Sequence, residues 1–172
     1  MSTEVPSTLS EDKKYFLAVD PGGKTRKHSV GVALFTAEKD YPLAYLPGQM
    51  TSDGFLDWLE TQNPNVFTGI VCEDYINFGF KKSAQAWNRN ETSQLIGAIR
   101  AYGRRHNINV VLQMSNILPM AEKHFQVKMP KNHDDSHKIS AYLHGAEFLL
   151  REGLKPSQLE RELYASGEAT HQ

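Results

Sequence analysis

The chain has 172 residues, 40% of them hydrophobic and 23% charged. This length is typical of one globular domain, and the composition excludes a disordered or fibrous chain. No apolar run approaches the roughly 20 residues that a membrane helix requires, and the polar first residues lack the apolar stretch of a signal peptide. The single cysteine, Cys72, excludes an internal disulfide, so we expect a reducing cytoplasm.

The distribution of charge is more informative than its sum. The formal net charge of −1, taken alone, does not favour nucleic acid as a partner. Between positions 81 and 105, however, a single acid, Glu91, accompanies six basic residues, which are Lys81, Lys82, Arg89, Arg100, Arg104 and Arg105. This stretch is either a solvated helix face or a surface for an anionic polymer, and charge alone leaves both interpretations open.

One domain is expected over residues 14–164, with disordered segments at 1–13 and 165–172. Five apolar runs bounded by turn residues predict strands, which cover residues 15–19, 29–36, 41–46, 66–72 and 107–112. Apolar residues at helical spacing predict helices around 55–59, over 91–102 and 118–125, and from Asp134 or Asp135 to Gly153. Residues 77–90 are predicted to form a loop, and Gly103 is predicted to end the second helix.

The order of these elements is three strands, a helix, a strand, a helix, a strand and then further helices. It predicts an α/β domain with a mixed five-stranded sheet, in which an antiparallel meander adjoins parallel strands and helices flank the sheet. The apolar face of the second helix, with Leu95, Ile96 and Ile99, has two interpretations. It packs wholly on the protein's own sheet, or it forms the interface of a dimer.

Acidic residues lie at the ends of three predicted elements. Asp20 ends the first strand, Glu73 ends the fourth, and Asp134 and Asp135 begin the last long helix. If the first and fourth strands are parallel neighbours, Asp20 and Glu73 emerge at the carboxyl edge of the sheet, where ligands bind in open α/β folds. A helix start packed against that edge would add the third acid.

Such a cluster of acids favours a divalent cation. Like charges this close repel, so a stable core alone does not explain them. Mg²⁺ prefers a few carboxylate oxygens together with water and phosphate, and two such ions can activate a water and stabilise the leaving oxygen in phosphodiester hydrolysis. Each acid singly has an ordinary explanation, in a turn, at a strand end or as a helix cap. The three together, in this order, indicate a metal site.

Three motifs in this order resemble those of the RuvC-type Holliday junction resolvases. They are FLAVDPG at 16–22 with SVGVA at 29–33, VCEDY at 71–75, and DDSH at 134–137 leading into AYLH at 141–144. In that family an apolar strand runs into Asp-Pro-Gly, a Glu ends a central strand, and two metal-binding residues lie about one turn apart at the start of a helix. Together the motifs cover most of residues 15–150.

The resemblance implies a ribonuclease H-like fold, a homodimer, and cleavage of branched DNA such as four-way junctions with Mg²⁺ or Mn²⁺, two ions to a site. It also implies a set of catalytic and metal-binding residues, namely Asp20, Glu73, Asp134, Asp135 and His137. A single compact domain suits a phage-encoded member. A related nuclease acting on flaps, forks or RNA–DNA hybrids, and a non-catalytic DNA-binding protein of the same fold, remain as alternatives.

The last motif departs from the family pattern of an acid or histidine, two residues, an acid and then Ala. Asp134 and His137 have the spacing but lack the following Ala, whereas His137 and Ser140 have the Ala but place Ser140 where an acid is expected. His137 occupies a family position in both registers. Two other histidines, His133 and His144, are interpreted as structural.

Basic and aromatic residues near these motifs are predicted to bind DNA. They are Lys24, Arg26, Lys27, Phe78, Phe80, Lys81, Lys82 and Arg89. The basic side chains would contact phosphates. Resolvases of this type use an aromatic in the region after the second acidic motif, and an exposed aromatic that stacks on an unpaired base contributes about 1–3 kcal/mol. The alternative is that Phe78 or Phe80 belongs to the core.

Overall fold

The computed structural model describes residues 7–22, 30–45, 50–74, 86–131, 133–156 and 158–159, and of residues 44–45, 86–90 and 133–135 it describes the backbone alone. These ranges form a mixed α/β domain, which confirms the predicted fold class. One sheet lies between two layers of helices, and each layer buries one face of the sheet. No helix in these ranges is long and apolar enough to cross a membrane.

The strands are β1 (Tyr15–Asp20), β2 (Gly31–Thr36), β3 (Leu43–Tyr45), β4 (Phe67–Asp74) and β5 (Val110–Met114). Their order in the sheet is β3-β2-β1-β4-β5. β2 pairs antiparallel with β1 and with β3, whereas β1, β4 and β5 run parallel. Because β1 and β4 are parallel neighbours, Asp20 and Glu73 reach the same edge of the sheet.

The helices are α1 (Ser52–Thr61), α2 (Ala86–His106), α3 (Leu118–Phe125) and α4 (His133–Arg151). Alternate residues of a strand point to opposite faces of its sheet. Leu17 and Val19 of β1 therefore pack in the core under α1 and α2. Phe16 and Ala18 pack in the second core, under α3 and α4. Strands covered on both faces are apolar along their whole length, which is why β1 and β2 were recognisable as continuous apolar runs.

The predicted loop over 77–90 is wrong for residues 86–90, which form the beginning of α2. Polar composition is a weak local preference, and packing of the rest of the helix on the sheet overrides it. Leu95, Ile96 and Ile99 are buried in the core beneath α1 and α2. Their face packs on the protein's own sheet, so it is not available as a dimer interface.

Gly103 was wrongly predicted to end α2, which continues to His106. A Cβ at Gly103 would lie 2.3 Å from Val110 Cγ2, so glycine is required there for close packing of the helix on β5. The helix ends at Asn107, which has a φ of 55°, with Ile108 N–H donating to Gly103 O at 2.8 Å. This is a Schellman ending with Asn in place of the usual Gly, and it delays the start of β5 relative to the prediction.

The chain before β1 packs on the domain. Residues 7–13 lie in the segment that was expected to be disordered, and Leu9 within it is buried in the core next to α1. The Leu9 N–H donates to Gln62 Oε1 at 2.8 Å, and the Gln62 side chain is itself buried. This part of the segment is therefore held by both apolar packing and a buried hydrogen bond.

Two glycines allow α4 to lie unusually close to the sheet. A Cβ on Gly31 of β2 would lie 2.0 Å from the carbonyl carbon and oxygen of His137, near the start of α4. A Cβ on Gly145, two turns further along, would lie 2.5 Å from Phe35 Cε2 and 2.7 Å from Ala18 Cβ. The absence of these two side chains therefore sets the distance between α4 and strands β1 and β2.

We predict that Gly31→Ala lowers the free energy of unfolding by about 3 kcal/mol, the upper end of the usual range for an overpacked core, because the contacted atoms belong to backbone and cannot rotate away. Gly97→Ala is the matched control. Nothing lies within 4 Å of a Cβ at Gly97, inside α2, so alanine there should add about 0.5–1 kcal/mol. Urea denaturation measures both changes. Equal midpoints for Gly31→Ala and the wild type would contradict this account of the helix contact.

Candidate active site

Asp20 is a buried carboxylate at the end of β1, with 5% of its surface exposed. Its Oδ1 accepts a hydrogen bond from Gly22 N–H at 2.8 Å. Its Oδ2 lies 3.3 Å from Nδ1 of His137. Asp20 is also the register partner of Gly31. Because the start of α4 lies on Gly31, the helix contact described above brings His137 beside Asp20.

The turn after Asp20 is tied to α2. Gly22 has a φ of 66°, in the left-handed region that favours glycine. Its carbonyl accepts a hydrogen bond from Thr92 Oγ1 at 2.8 Å, and Thr92 is buried. Thr92 thereby anchors the carbonyl of Gly22, the residue whose N–H holds Asp20. Sequence reasoning missed Thr92, since a single threonine within a helix has no distinguishing local pattern.

Glu73 lies beside Asp20 at the end of β4, and 21% of its side chain is exposed. Val19 and Cys72 are register partners, so the two acids follow them on neighbouring parallel strands. The Glu73 Oε1 atom lies 3.9 Å from Nε2 of His144, a histidine of α4 that is fully buried.

The charges of these groups shift one another's pKa values. Burial raises the pKa of Asp20, but the hydrogen bond and positive charge of His137, together with the Ser140 hydroxyl and Gly22 N–H, outweigh it, so the pKa lies below its ordinary 3.8. The hydrogen bond with Asp20 raises the pKa of His137 above 6.5. Burial, helped by the negative charge of Asp20, raises the pKa of Glu73 above 4.5 despite its contact with His144. Without a cation, the site therefore favours an ionised Asp20 paired with a protonated His137.

A pocket of about 270 Å³ opens over these residues. It is lined by Asp20, Pro21, Gly22, Glu73, Leu118, Met129, Ser136, His137 and Ser140. The Ser140 hydroxyl is buried and close enough to Asp20 to help lower the pKa of that carboxyl, although it makes no hydrogen bond of good geometry among the described residues. Two carboxylates and this hydroxyl line one cavity and form a set of oxygen donors that suits Mg²⁺ or Mn²⁺.

The structure brings Asp20, Glu73 and His137 of the predicted site together around this pocket. Ser140 also lines the pocket. Both residues of the second register of the last motif, His137 and Ser140, therefore face the cavity. Asp134 and Asp135 lie in the first turn of α4, but their side chains are outside the described residues, and their role stays a prediction. Among the side chains that are described, no group of three or more His, Cys, Asp or Glu is arranged to hold a metal ion. A complete metal site therefore requires a contribution from the first turn of α4 or a movement of these side chains.

Most of the predicted DNA-binding residues fall outside the described ranges. These are Lys24, Arg26, Lys27, Phe78, Phe80, Lys81 and Lys82. Arg89 lies in α2, but its side chain is not described. Further along the same basic stretch, Arg105 pairs with Glu60 of α1 and lies over the Tyr102 ring, with its Cζ 5.8 Å from the ring centroid. Part of the stretch is therefore engaged within the domain.

No protein-family model matches this chain, and no curated protein matches it. Solved structures do match the chain. The domain is similar to Thermus thermophilus RuvC in complex with a Holliday junction substrate, with a TM-score of 0.51 and 13% sequence identity, over 83% of this chain and 99% of that one. The chain has a RuvC-like fold. A second structure of Thermus thermophilus RuvC matches with a TM-score of 0.49 and 13% identity, over 81% of this chain and 97% of that one. At this identity the likeness concerns the fold.

The Asp20–His137 pair should make the stability of the metal-free protein depend on pH. A raised histidine pKa stabilises the fold fully below the unfolded value of 6.5, and this contribution is lost as pH rises through the folded value. A lowered aspartate pKa stabilises the fold above 3.8 and is lost as pH falls through the folded value. The pair should therefore contribute most between pH 3.8 and 6.5.

We predict that the free energy of unfolding in EDTA declines as pH rises above 6.5 and that His137→Gln removes this part of the decline. Urea denaturation over a pH series measures both proteins. An identical slope for the variant and the wild type would show that the pair does not stabilise the fold.

Proposed function

We propose that this protein is a metal-dependent endonuclease that hydrolyses phosphodiester bonds in branched DNA, with four-way junctions as its principal substrate. The observation that carries the proposal is the pairing of Asp20 and Glu73 at the ends of adjacent parallel strands, facing His137 of α4 across one pocket. The likeness to a RuvC bound to a Holliday junction adds support. Such cleavage would serve DNA recombination and repair in the cytoplasm.

Asp20, Glu73 and His137, with Asp134 or Asp135, would hold two Mg²⁺ or Mn²⁺ ions. Bound there, the ions would supply the activation of water and the stabilisation of the leaving oxygen. Asp20 is already ionised and oriented by Gly22 N–H, so it offers a fixed carboxylate. A cation near both acids would offset the repulsion that raises the pKa of Glu73.

The DNA would be held by residues that follow Asp20 and Glu73 in the sequence. Lys24, Arg26 and Lys27 follow the turn that Asp20 begins, so we assign them to phosphate contacts. The segment after Glu73 contains Phe78 and Phe80 among basic residues, and we assign an aromatic of this segment to the branch point, where it would stack on an unpaired base.

Cleavage should be specific for branched substrates and should require Mg²⁺ or Mn²⁺. Four-way junction, fork, flap, RNA–DNA hybrid and linear duplex are incubated side by side with Mg²⁺, Mn²⁺, Ca²⁺ or EDTA. The four-way junction should be cut fastest. Ca²⁺ should support binding with little cleavage, because its looser coordination misplaces the attacking water. Full activity in EDTA would refute the mechanism, and preference for a flap, fork or hybrid would reassign the substrate.

The variants Asp20→Asn and Glu73→Gln serve as controls in the same assay. Each should abolish cleavage, whereas junction binding should survive or tighten because a negative charge near the phosphates is removed. Near-normal turnover in either variant would mean that these carboxylates do not form the reaction centre. Binding without cleavage by the wild type in every metal would favour a non-catalytic DNA-binding protein.

Paired cuts in a four-way junction favour a C₂ homodimer, because one domain with one acidic cluster cuts one strand at a time. We therefore predict a dimer in solution. Since Leu95, Ile96 and Ile99 are buried in the protein's own core, the interface must use another surface. Light scattering with and without junction DNA measures the mass. A strict monomer in both states that still makes symmetric paired nicks would rule the dimer out.

A further inference from the structure

His144 is a buried histidine whose two ring nitrogens are in different situations. It lies on α4, one turn after Ser140, and none of its surface is exposed. Its Nδ1 lies 2.9 Å from Oε1 of Gln113, on β5. Its Nε2 has no hydrogen-bond partner among the described residues and lies 3.9 Å from Glu73 Oε1. The large majority of buried polar side-chain atoms have a hydrogen-bond partner, so this nitrogen requires an explanation.

Leaving the buried Nε2 atom without a hydrogen-bond partner lowers the stability of the fold. The core in which α4 packs is largely apolar and includes Leu143 and Ala146, although the helix also buries Ser140 and Glu147. An unsatisfied polar atom in such a place costs about 1–3 kcal/mol, and an apolar side chain of similar size would avoid that cost. The carboxylate oxygen Oε1 of Glu73 lies 3.9 Å from Nε2.

The sheet register adds a second, independent observation. Glu73 and Gln113 are direct partners across the parallel strands β4 and β5, so their side chains project from the same face of the sheet. That is the face on which α4 packs. The His144 ring therefore contacts Gln113 through Nδ1, and its Nε2 lies near the neighbouring Glu73 side chain.

We propose that Gln113 and His144 form a positioning pair for Glu73: Gln113 fixes the imidazole ring through Nδ1, and the ring presents an Nε2–H to the Glu73 carboxylate. This inference rests on the proposed function in that it takes Glu73 to be a metal ligand. His144 acts through Glu73 and is not itself a catalytic residue. Groups that orient metal-binding side chains in this way typically alter metal affinity or activity by about 10–100-fold.

The position of the proton follows from the neighbours of the ring. An amide offers an acceptor oxygen and a donor nitrogen, so Gln113 can hold either an imidazolium or the neutral ring protonated at Nε2. Both forms direct an N–H at Glu73. The third form, protonated at Nδ1 alone, would direct a lone pair at a carboxylate. The 3.9 Å separation exceeds a hydrogen bond, and rotation of the partly exposed Glu73 side chain would close it.

The test uses the full chain with Mn²⁺ as the probe. Gln113→Leu removes the anchor of the ring and leaves both His144 and Glu73 in place. It should weaken Mn²⁺ binding, measured by calorimetry, by about 10-fold or more. With a four-way junction it should lower kcat and leave KM unchanged, because the DNA contacts are intact. Wild-type Mn²⁺ affinity in this variant would overturn the proposal.

Two further variants separate positioning from general disruption. Gln113→Glu keeps an oxygen beside the ring, and its added negative charge next to Glu73 should strengthen Mn²⁺ binding where Gln113→Leu weakens it. His124→Gln removes a histidine that pairs with Glu147 of α4, 2.8 Å away and outside the pocket lining, and should bind Mn²⁺ as the wild type does. An equal loss in all three variants would overturn the proposal, because the effect would then not depend on the ring.

Nitrogen NMR of the His144 ring in the wild-type protein gives a readout that needs neither a variant nor activity. Nε2 should be protonated in the metal-free protein, and its shift should change when Mg²⁺ is added. A ring protonated at Nδ1 alone would overturn the proposal. Mn²⁺ binding that depends on Gln113, in a protein that cuts no DNA, would uphold the positioning pair and refute the proposed function. Normal junction cleavage by the wild type, together with wild-type Mn²⁺ affinity in Gln113→Leu, would support the proposed function and refute the positioning pair.

Discussion

The close approach of α4 to strands β1 and β2 is the constraint on which the rest of the structure depends. It is possible because Gly31 and Gly145 lack the side chains that would hold the helix away. Gly31 is the register partner of Asp20, so the same contact that packs the second core also brings His137 to the end of β1. Packing and the assembly of the site are thus one event, and the helix cannot move outward without separating His137 from Asp20.

The site concentrates negative charge where burial disfavours it. Asp20 remains ionised because His137, Gly22 N–H and the Ser140 hydroxyl compensate for its burial. Glu73 is less well compensated, and its pKa rises accordingly. The ionised form of Asp20 is stabilised by its neighbours, whereas the ionised form of Glu73 is disfavoured by burial and by the charge of Asp20. A bound cation would stabilise the ionised form of Glu73. This imbalance is what a metal-binding function would produce, since stability alone would select neutral residues at these positions.

Several elements could be predicted from the sequence, and the failures have identifiable causes. α3 matches its predicted range because its apolar spacing is regular and a turn follows it. α2 does not match its predicted range. A glycine such as Gly103 can either end a helix or allow close packing inside it, here on β5, and the sequence does not distinguish the two roles. Residues 86–90 were misassigned because their polar composition is compatible with both loop and helix. At the site, Asp20 and Glu73 were predicted from their positions at strand ends, and His137 from the resemblance of the last motif to that of the resolvases. Thr92 and Gln113 were not predicted, since nothing in their local sequence distinguishes them.

The sequence by itself determined the local properties of the chain: which runs are apolar, where turns interrupt them, and which acids follow strands, because each depends on neighbours a few positions away. Tertiary structure alone decided which groups meet. Thr92 reaches Gly22 across 70 positions, and His144 meets Gln113 across 31. It also decided that Leu95 faces the protein's own core and that Nε2 of His144 faces Glu73. These outcomes follow from the order of the strands and the closeness of α4, and both are set by the packing of the whole domain, not by any segment of it.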